Sequence, residues 1–519
     1  MRLDGALRGP LVLMIALIVS ATACVDQAQE LSPQARYAWL HMQGNLLAQK
    51  QLLELGQLTP TDTLITDVNL VDVIAGTVQE DVSVLVRDGK IDWVGDGGDV
   101  ADLDGVTRIS GANQYLAPGL TDMHVHTHDD ADYLLHLAFG VTSIREMNGW
   151  PWRLERRRQL EAGKLLAPNM YITSRILNSS DLGGYAIALE TTEQARIAVR
   201  EAATDGYDAI KVHNGLSNEI YMGIIDEAHR LGLEVVGHIP VRVKVSEAIA
   251  AGMHTAEHFK GYIDDSNLEI SGDDWLTPST DMDMYLTPTF YAYREHQRAA
   301  AAQKILEDSG NRVLPHRHVA WQRYVEQEAD RLTRLRQTIL PKSEEIFRTL
   351  SPYNVKWLAG TDSGGYELMV PGEALVEELE ILQGLGLSPL EALRSATTRA
   401  AQAMSWTDRT GHIAPGMNAD LILLSRNPLE SVSNLRTLQA VMVRGIWLPD
   451  PASLVVNGAS IDVSATAVGR RQFEEAVTLS EQHAAAGYAQ STMSLDLWIS
   501  LAEELGETDL ADRLRVLSE

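Results

Sequence analysis

Cysteine is all but missing from this chain: one, Cys24, stands among 519 residues. A lone thiol excludes an internal disulfide framework and a multi-thiolate metal site. If that thiol carries a lipid, no thiolate remains, and any bound metal must be held by imidazole, carboxylate or another oxygen donor. Basic residues are scarce beside acidic ones, 43 Lys+Arg against 71 Asp+Glu, for a formal net charge of −28. So acidic a chain repels phosphate backbones, so no nucleic acid is expected as a partner, and the acidity reads as a soluble, self-repelling surface. Long apolar runs are lacking too, since the stretch Leu11 to Val19 is too short to span a bilayer as a stable helix. With 45% hydrophobic and 22% charged residues the composition is that of a globular protein, neither disordered, fibrous nor polytopic.

The amino terminus carries Arg2 and Arg8, then that apolar run, then Ala21-Thr22-Ala23-Cys24. This three-part pattern reads as an export signal over residues 1–23. Cys24 resembles the lipidated residue of a bacterial lipoprotein signal, although Ala21 stands where Leu is usual, and cleavage after Ala23 without a lipid is the alternative. Val25, in place of an acidic residue, resembles lipoproteins passed to the outer membrane. The expectation is an exported, periplasmic chain anchored to the membrane through Cys24.

Beyond the signal, residues 24–60 read as a helical spacer that gives reach between anchor and enzyme, because Leu31 to Gly56 is rich in Ala, Leu and Gln. Residues 61–113 turn to short β-type runs, such as Val82 to Val86 followed by the turn signal Asp88-Gly89. Between 114 and 404, strand-like runs alternate with amphipathic helical ones, among them Thr142 to Ile144, Met170 to Thr173, Ala209 to Val212, Glu234 to Gly237 and Lys356 to Gly360. Such alternation specifies a parallel sheet, and at this length a closed barrel leads over an open doubly wound sheet. Residues 405–450 return to β character, and 451–519 are helical. The fold class is therefore α/β, a (β/α)8 TIM-type barrel inserted in a split composite β-sandwich formed by 61–113 and 405–450, with a helical C-terminal extension.

Chemistry concentrates in five places. In Thr121-Asp122-Met123-His124-Val125-His126, strand alternation puts His124 and His126 on one face, although such a pair alone is weak evidence of a metal. Lys211 is embedded among apolar residues at a strand end, where an ammonium is costly to bury. It either snorkels to water or is modified by CO2 to a carbamate, an anionic oxygen ligand. His238 ends the β-branched run Val235-Val236, His258 follows Ala256-Glu257, and Asp362 closes the last barrel strand after Gly360-Thr361. The C-terminal end of barrel strands is where catalytic groups collect.

This set resembles the amidohydrolase superfamily, and within it the imidazolonepropionase-like and Xaa-Pro-dipeptidase-like members. The resemblance runs from Asp62 to about Leu448, through Gly140-Val141-Thr142-Ser143-Ile144-Arg145-Glu146, Ala251-Gly252 to Glu257-His258, Leu286-Thr287-Pro288-Thr289 and Gly411-His412 to Asp420-Leu421. It implies two divalent metal ions, zinc foremost. His124, His126 and Asp362 would hold the more buried one, His238 and His258 the more exposed one, and carbamylated Lys211 would bridge them. It implies further that a hydroxide between the metals attacks a C–N bond, with Asp362 as catalytic proton shuttle, in a dipeptide or a small cyclic or acylated amino acid. A mononuclear site with unmodified Lys211 is the variant of this reading. The same site acting on an ester or lactone, and a non-catalytic binding protein of the cell envelope, are the alternatives.

Arg145 and His213 are candidates for substrate contact, Arg145 by pairing with a carboxylate or else by bracing the barrel rim. Glu146 and His213 depart from the relatives' pattern, which favours Asp and Tyr there. Trp150 and Trp152 read as pocket wall or packing, His254 as a supporting residue at best, and His316 and His318 as solvent-facing. The expected partner is a small-molecule substrate, and a homo-oligomer is compatible with the sequence.

Overall fold

The structure, a computed structural model, describes residues 29–30, 32–55, 57–96, 103–128, 130–264, 266–272, 275–276, 279, 283–295, 337–364, 369–454, 467–468, 470–485 and 492–518. The signal segment with Cys24, and His316 and His318, lie outside the described residues. No helix among those described is long and apolar enough to cross a membrane.

Eight parallel strands build the centre: β1 Leu120–Val125, β2 Val141–Glu146, β3 Asn169–Ile172, β4 Ala209–Val212, β5 Glu234–Gly237, β6 Thr255–Glu257, β7 Tyr285–Thr287 and β8 Lys356–Trp357. Ladders join β1 to β2 to β3 and β4 through to β8 in order. Parallel bridges Thr173–Ala209 and Val125–Ser363 close the two arcs into a ring. The seam is firm: His126 N donates to Ser363 O and Asp362 N to His124 O, both at 2.8 Å. Closure sets aside the open-sheet alternative.

Helices cover the outer face, so both faces of these strands are buried, with the polar side chains of β1, β2 and β4 buried along with the apolar ones. Helix Thr192–Asp205, between β3 and β4, shows the local logic. Thr191 and Gln194 form a capping box at its start, and Gly206 (φ 88°) ends it in the left-handed region. Inside the ring, Ala209, Val236, Tyr285 and Leu358 are buried in one cluster with Tyr171 and Met404. Each of Ala209, Val236 and Tyr285 precedes a rim residue by two positions (Lys211, His238, Thr287), so this layer lies directly beneath the rim on the same face.

The chain on either side of the barrel pairs into one eight-stranded sheet. Its strands are Thr63–Asp72, Thr77–Arg87, Lys90–Asp96, Thr107–Ser110 and Tyr115–Pro118 from before the barrel, and Leu421–Leu424, Leu438–Val443 and Ile446–Leu448 from after it. The two parts meet where Leu421–Leu424 runs antiparallel to Tyr115–Pro118. Tyr115–Pro118 thus belongs to the shared sheet, and the barrel starts at Leu120, not at the expected 114.

A second expectation is corrected. The helix Pro33–Leu55 is not a free spacer, for it packs with Arg470–Ala485, Thr492–Glu504 and Thr508–Ser518 around a separate core that includes Trp39, Met42, Phe473 and Trp498. Trp498 Nε1 donates to His41 Nδ1 at 3.2 Å, and Gln29–Glu30 pairs antiparallel with Ala467–Val468. Burying these large apolar side chains outweighs extension into water, since each is worth roughly 1.5–3 kcal/mol. The spacer and the C-terminal extension are one helical unit, seated against the barrel helix Asp130–Ala138.

Candidate active site

The rim of β1, β4, β5, β6 and β8 brings the sequence-expected residues together. His126 Nε2 lies 3.2 Å and His124 Nε2 3.4 Å from Asp362 Oδ1, while His258 Nε2 lies 4.0 Å from Asp362 Oδ2. The ring of His258 is 4.6 Å from that of His124 and 4.9 Å from that of His238, centroid to centroid. His213 stacks 4.3 Å from His238 with its Nδ1 buried and unpartnered. The Lys211 ammonium is 1% exposed, without a hydrogen-bond partner, and its charge bears on all four site histidines.

Holding the site costs backbone strain. His258, Phe259, Thr289 and Asp362 all sit at positive φ, between 53° and 60°, just past the ends of β6, β7 and β8. For residues with a Cβ this region costs about 1–2 kcal/mol each, and such outliers gather where function over-determines the backbone. Two glycines make room. A Cβ on Gly237 (φ 123°) would meet Val212 O at 2.3 Å and Lys211 Cδ at 2.9 Å, and one on Gly360 would meet His124 N at 2.9 Å.

The imidazoles share one orientation. His124 Nδ1 faces Glu257 Oε2 at 3.0 Å, His238 Nδ1 faces Asn214 Oδ1 at 2.6 Å, and His258 Nδ1 faces Thr289 Oγ1 at 2.6 Å. The Glu257 carboxylate and the Asn214 carbonyl only accept. Thr289 spends its proton on Pro288 O at 2.8 Å, so toward His258 it too accepts. Each ring therefore carries its proton on Nδ1 and leaves the Nε2 lone pair for the interior. His126 Nδ1 meets the Tyr185 hydroxyl at 3.3 Å.

Electrostatics agree. Burial first, then the Lys211 charge, holds His124 and His126 well below the usual imidazole range. Burial, with His213 next, does the same to His238, and it brings His258 to about 4 and His213 to about 3. Burial also lowers Lys211 to about 8, against the pull of Glu257 and Asp362, and it raises Asp362. Neutral imidazoles are the ligand form. Among the described residues, His124, His258 and Asp362 offer donor atoms all within 4.8 Å of one another. With the buried His124 Nε2 and Lys211 Nζ left without partners, the donor set fits a cation.

Around this centre lie Arg145, for which bracing was one of the two roles read from the sequence, and others whose part was not read from it. Arg145, 1% exposed, gives Nε to Met123 O at 2.6 Å, Nη1 to Thr255 Oγ1 at 2.9 Å and Nη2 to Glu257 Oε1 at 2.8 Å. Its guanidinium is committed inside the barrel, so it braces the Glu257 that orients His124 and has no face for a substrate carboxylate. Glu146 takes Thr127 N and Oγ1 and Arg153 Nη1, fixing the chain just past His126, and burial pushes it up to about 7. Asp122 takes Thr361 Oγ1 at 2.7 Å and Thr361 N at 3.1 Å, locking β1 to the segment that carries Asp362. Lys260, half-buried past β6, bears electrostatically on His213, His238 and His258. His254 turns away: its Nε2 meets Ala403 O at 2.8 Å. Trp150 lies under the Arg175 guanidinium, 4.1 Å from ring centroid to Cζ, and Trp152 pairs with Arg153 at 5.1 Å.

Neutral rings and a carboxylate converging at the C-terminal rim of a closed parallel barrel define the class: a barrel hydrolase with a metal-type site. The chain belongs to the Amidohydrolase family, which residues 115–448 match, and it is a hydrolase acting on carbon–nitrogen bonds. Ochratoxinase of Aspergillus niger is 22% identical over 392 residues, covering 63% of this chain and 73% of that one. Urease subunit alpha 2 of Brucella suis biovar 1 is 34% identical over 93 residues, 16% of either chain. Among solved structures, bottromycin amidohydrolase shares the fold with a TM-score of 0.66 at 23% identity, over 83% of this chain and 98% of that one. A Xaa-Pro dipeptidase with bound methionine in the active site does so with a TM-score of 0.58 at 20% identity, over 75% and 100%.

Proposed function

We propose that the protein hydrolyses the amide bond of a dipeptide or of a small cyclic or acylated amino acid, with two divalent cations, zinc foremost, and Lys211 as a carbamate between them. The observation that carries this reading is the buried, unpartnered Lys211 ammonium among four imidazoles whose Nε2 atoms face inward. As an ammonium it is a buried cation with no hydrogen-bond acceptor, whereas as a carbamate it becomes an acceptor among potential ligands. The modification is balanced: the neutral amine attacks the carbon of CO2 and loses one proton to leave an N-carboxylate. Burial brings the lysine to about 8, so an appreciable neutral fraction is present near neutral pH.

His124, His126 and Asp362 would hold one cation and His238 and His258 the other, and cations so bound lower the pKa of water and polarise a carbonyl. The chain's own groups do the rest. Asp362, within 3.4 Å of two imidazoles, is placed to accept a proton from the attacking water and pass it to the departing nitrogen. His213, with a free buried Nδ1 beside His238, is placed to bond a substrate oxygen, and Lys260 adds positive charge on the side where a substrate carboxylate would lie. The names of two relatives, a bottromycin amidohydrolase and an Xaa-Pro dipeptidase, support a peptide-type amide.

The test is a panel of dipeptides and N-acyl amino acids, with zinc-loaded enzyme and released amine as readout. Hydrolysis of at least one, cut roughly 10²–10⁴-fold by Asp362→Asn, supports the reading. A metal-loaded enzyme that releases no amine from any of them, yet opens esters or lactones, contradicts it. Export and anchoring through Cys24 belong to the same proposal, and incorporation of labelled palmitate that Cys24→Ser abolishes is the matching check.

A further inference from the structure

Three of the four inward-facing histidines are oriented by groups at the ends of barrel strands, Asn214 just past β4, Glu257 in β6 and Thr289 past β7, at 2.6 to 3.0 Å. The fourth, His126, has its Nδ1 on Tyr185, at 3.3 Å, with the two rings 6.2 Å apart. Tyr185 is not at a strand end of the barrel. It sits at the base of a turn beyond β3 in which Asp181, Leu182, Gly183 and Gly184 are all exposed. The turn is built from its own backbone, Ala186 N to Asp181 O at 2.7 Å and Gly183 N to Asp181 Oδ1 at 3.1 Å. Leu182, Gly183 and Gly184 are left-handed. Two clamps seat it on the neighbouring loop: Asn148 Nδ2 donates to Tyr185 O at 3.1 Å, and Arg175, stacked on Trp150, donates Nη2 to Gly184 O at 2.6 Å.

We infer that Tyr185 is a positioning residue of the metal centre. Its hydroxyl oxygen accepts the His126 Nδ1 proton, as Asn214, Thr289 and Glu257 do for the other three rings, so that His126 keeps its Nε2 lone pair toward Asp362. Because Tyr185 rides on a surface turn, the seating of residues 179–185 is coupled to the affinity of the centre for its cation. The inference rests on the metal reading above and adds a fourth orienting group, which neither strand alternation nor the barrel rim supplies.

The experiment compares zinc affinity, by competition with a chromophoric chelator, in the wild-type chain, Tyr185→Phe and Asn148→Ala. Tyr185→Phe retains the ring against His126 and removes only the acceptor, so zinc affinity is expected to fall 10- to 100-fold, the usual effect of losing a ligand-orienting partner. The melting temperature of the metal-free protein should stay unchanged. Asn148→Ala, which frees the turn and removes the Asn148 side chain bonded to the hydroxyl while leaving the hydroxyl itself in place, should weaken zinc by a smaller factor, and it serves alone if the Phe variant does not fold. Wild-type affinity in Tyr185→Phe, or in Asn148→Ala where that is the only folded variant, overturns the inference while leaving the metal reading intact. A wild-type chain that binds no zinc overturns both.

Discussion

Arg145 and Glu257 form an ion pair 2 and 0% exposed in their side chains, at 2.8 Å, and through Glu257 the pair reaches His124. Removing one partner of such a pair strands a charge in the core, at a cost of about 3–5 kcal/mol. Glu257→Ala is therefore expected to lower the free energy of unfolding by roughly that amount in urea titration and to weaken metal binding with it. A loss under about 1 kcal/mol would show that the pair does not hold the site. That Glu257 matters was only half visible in the sequence: it stands in the quoted Ala256-Glu257-His258, but its partner is 112 residues away. His124 and His126 were legible because alternation along one strand depends on nothing distant. The carboxylate-clamp reading of Arg145 fails for the opposite reason, since its direction into the barrel is set by Met123, Thr255 and Glu257 together.

Among elements, helix Glu373–Gly384 reaches the site through one side chain. Glu378, fully buried, takes Phe290 N at 3.1 Å and Tyr291 N at 2.7 Å, and so pins the segment behind Thr289, which orients His258. Burial pushes Glu378 up to about 8 from 4.5, with the two backbone amides opposing. The folded chain keeps this proton over a range in which the unfolded chain has released it. Its contribution to stability is thus fully present below about pH 4.5 and lost as pH rises through about 8. Unfolding free energy measured in urea should decline across that window, and decline less in Glu378→Gln. A Gln variant with the wild-type slope would remove Glu378 as the cause. β4 and β5 were read from the sequence to the residue because each is a short β-prone stretch, Ile210 and Val212 or Val235 and Val236, set between helical runs, whereas β7, only Tyr285–Thr287, is too short to carry a pattern. The loops that bring Tyr185 and Asn214 to the rings have no period at all, and their neighbours become known only when the ring closes.

For the whole molecule, the two ends of the described chain meet in one helical unit, a pairing that no local pattern announces because each helix alone reads as an amphipathic appendage. A chain ending before Arg470 would bare Trp39, Met42 and Leu46 on the helix Pro33–Leu55. Such a truncation should aggregate or bind a hydrophobic dye, seen by size exclusion and fluorescence, while a monodisperse, dye-free product would show that the unit is dispensable. The barrel and the joining of its two flanks, in contrast, followed from the order of strand-like and helical runs, although the flanks were expected as a sandwich and pair as one sheet. The claim on which the proposed function depends is that the barrel rim holds a binuclear centre bridged through Lys211. Elemental analysis by plasma mass spectrometry of the purified, zinc-equilibrated chain and of Lys211→Ala tests it most directly. About two zinc ions per wild-type chain, falling in the variant, is the expected result. About one ion in both would contradict the bridged pair, and none in either would contradict a metal centre altogether.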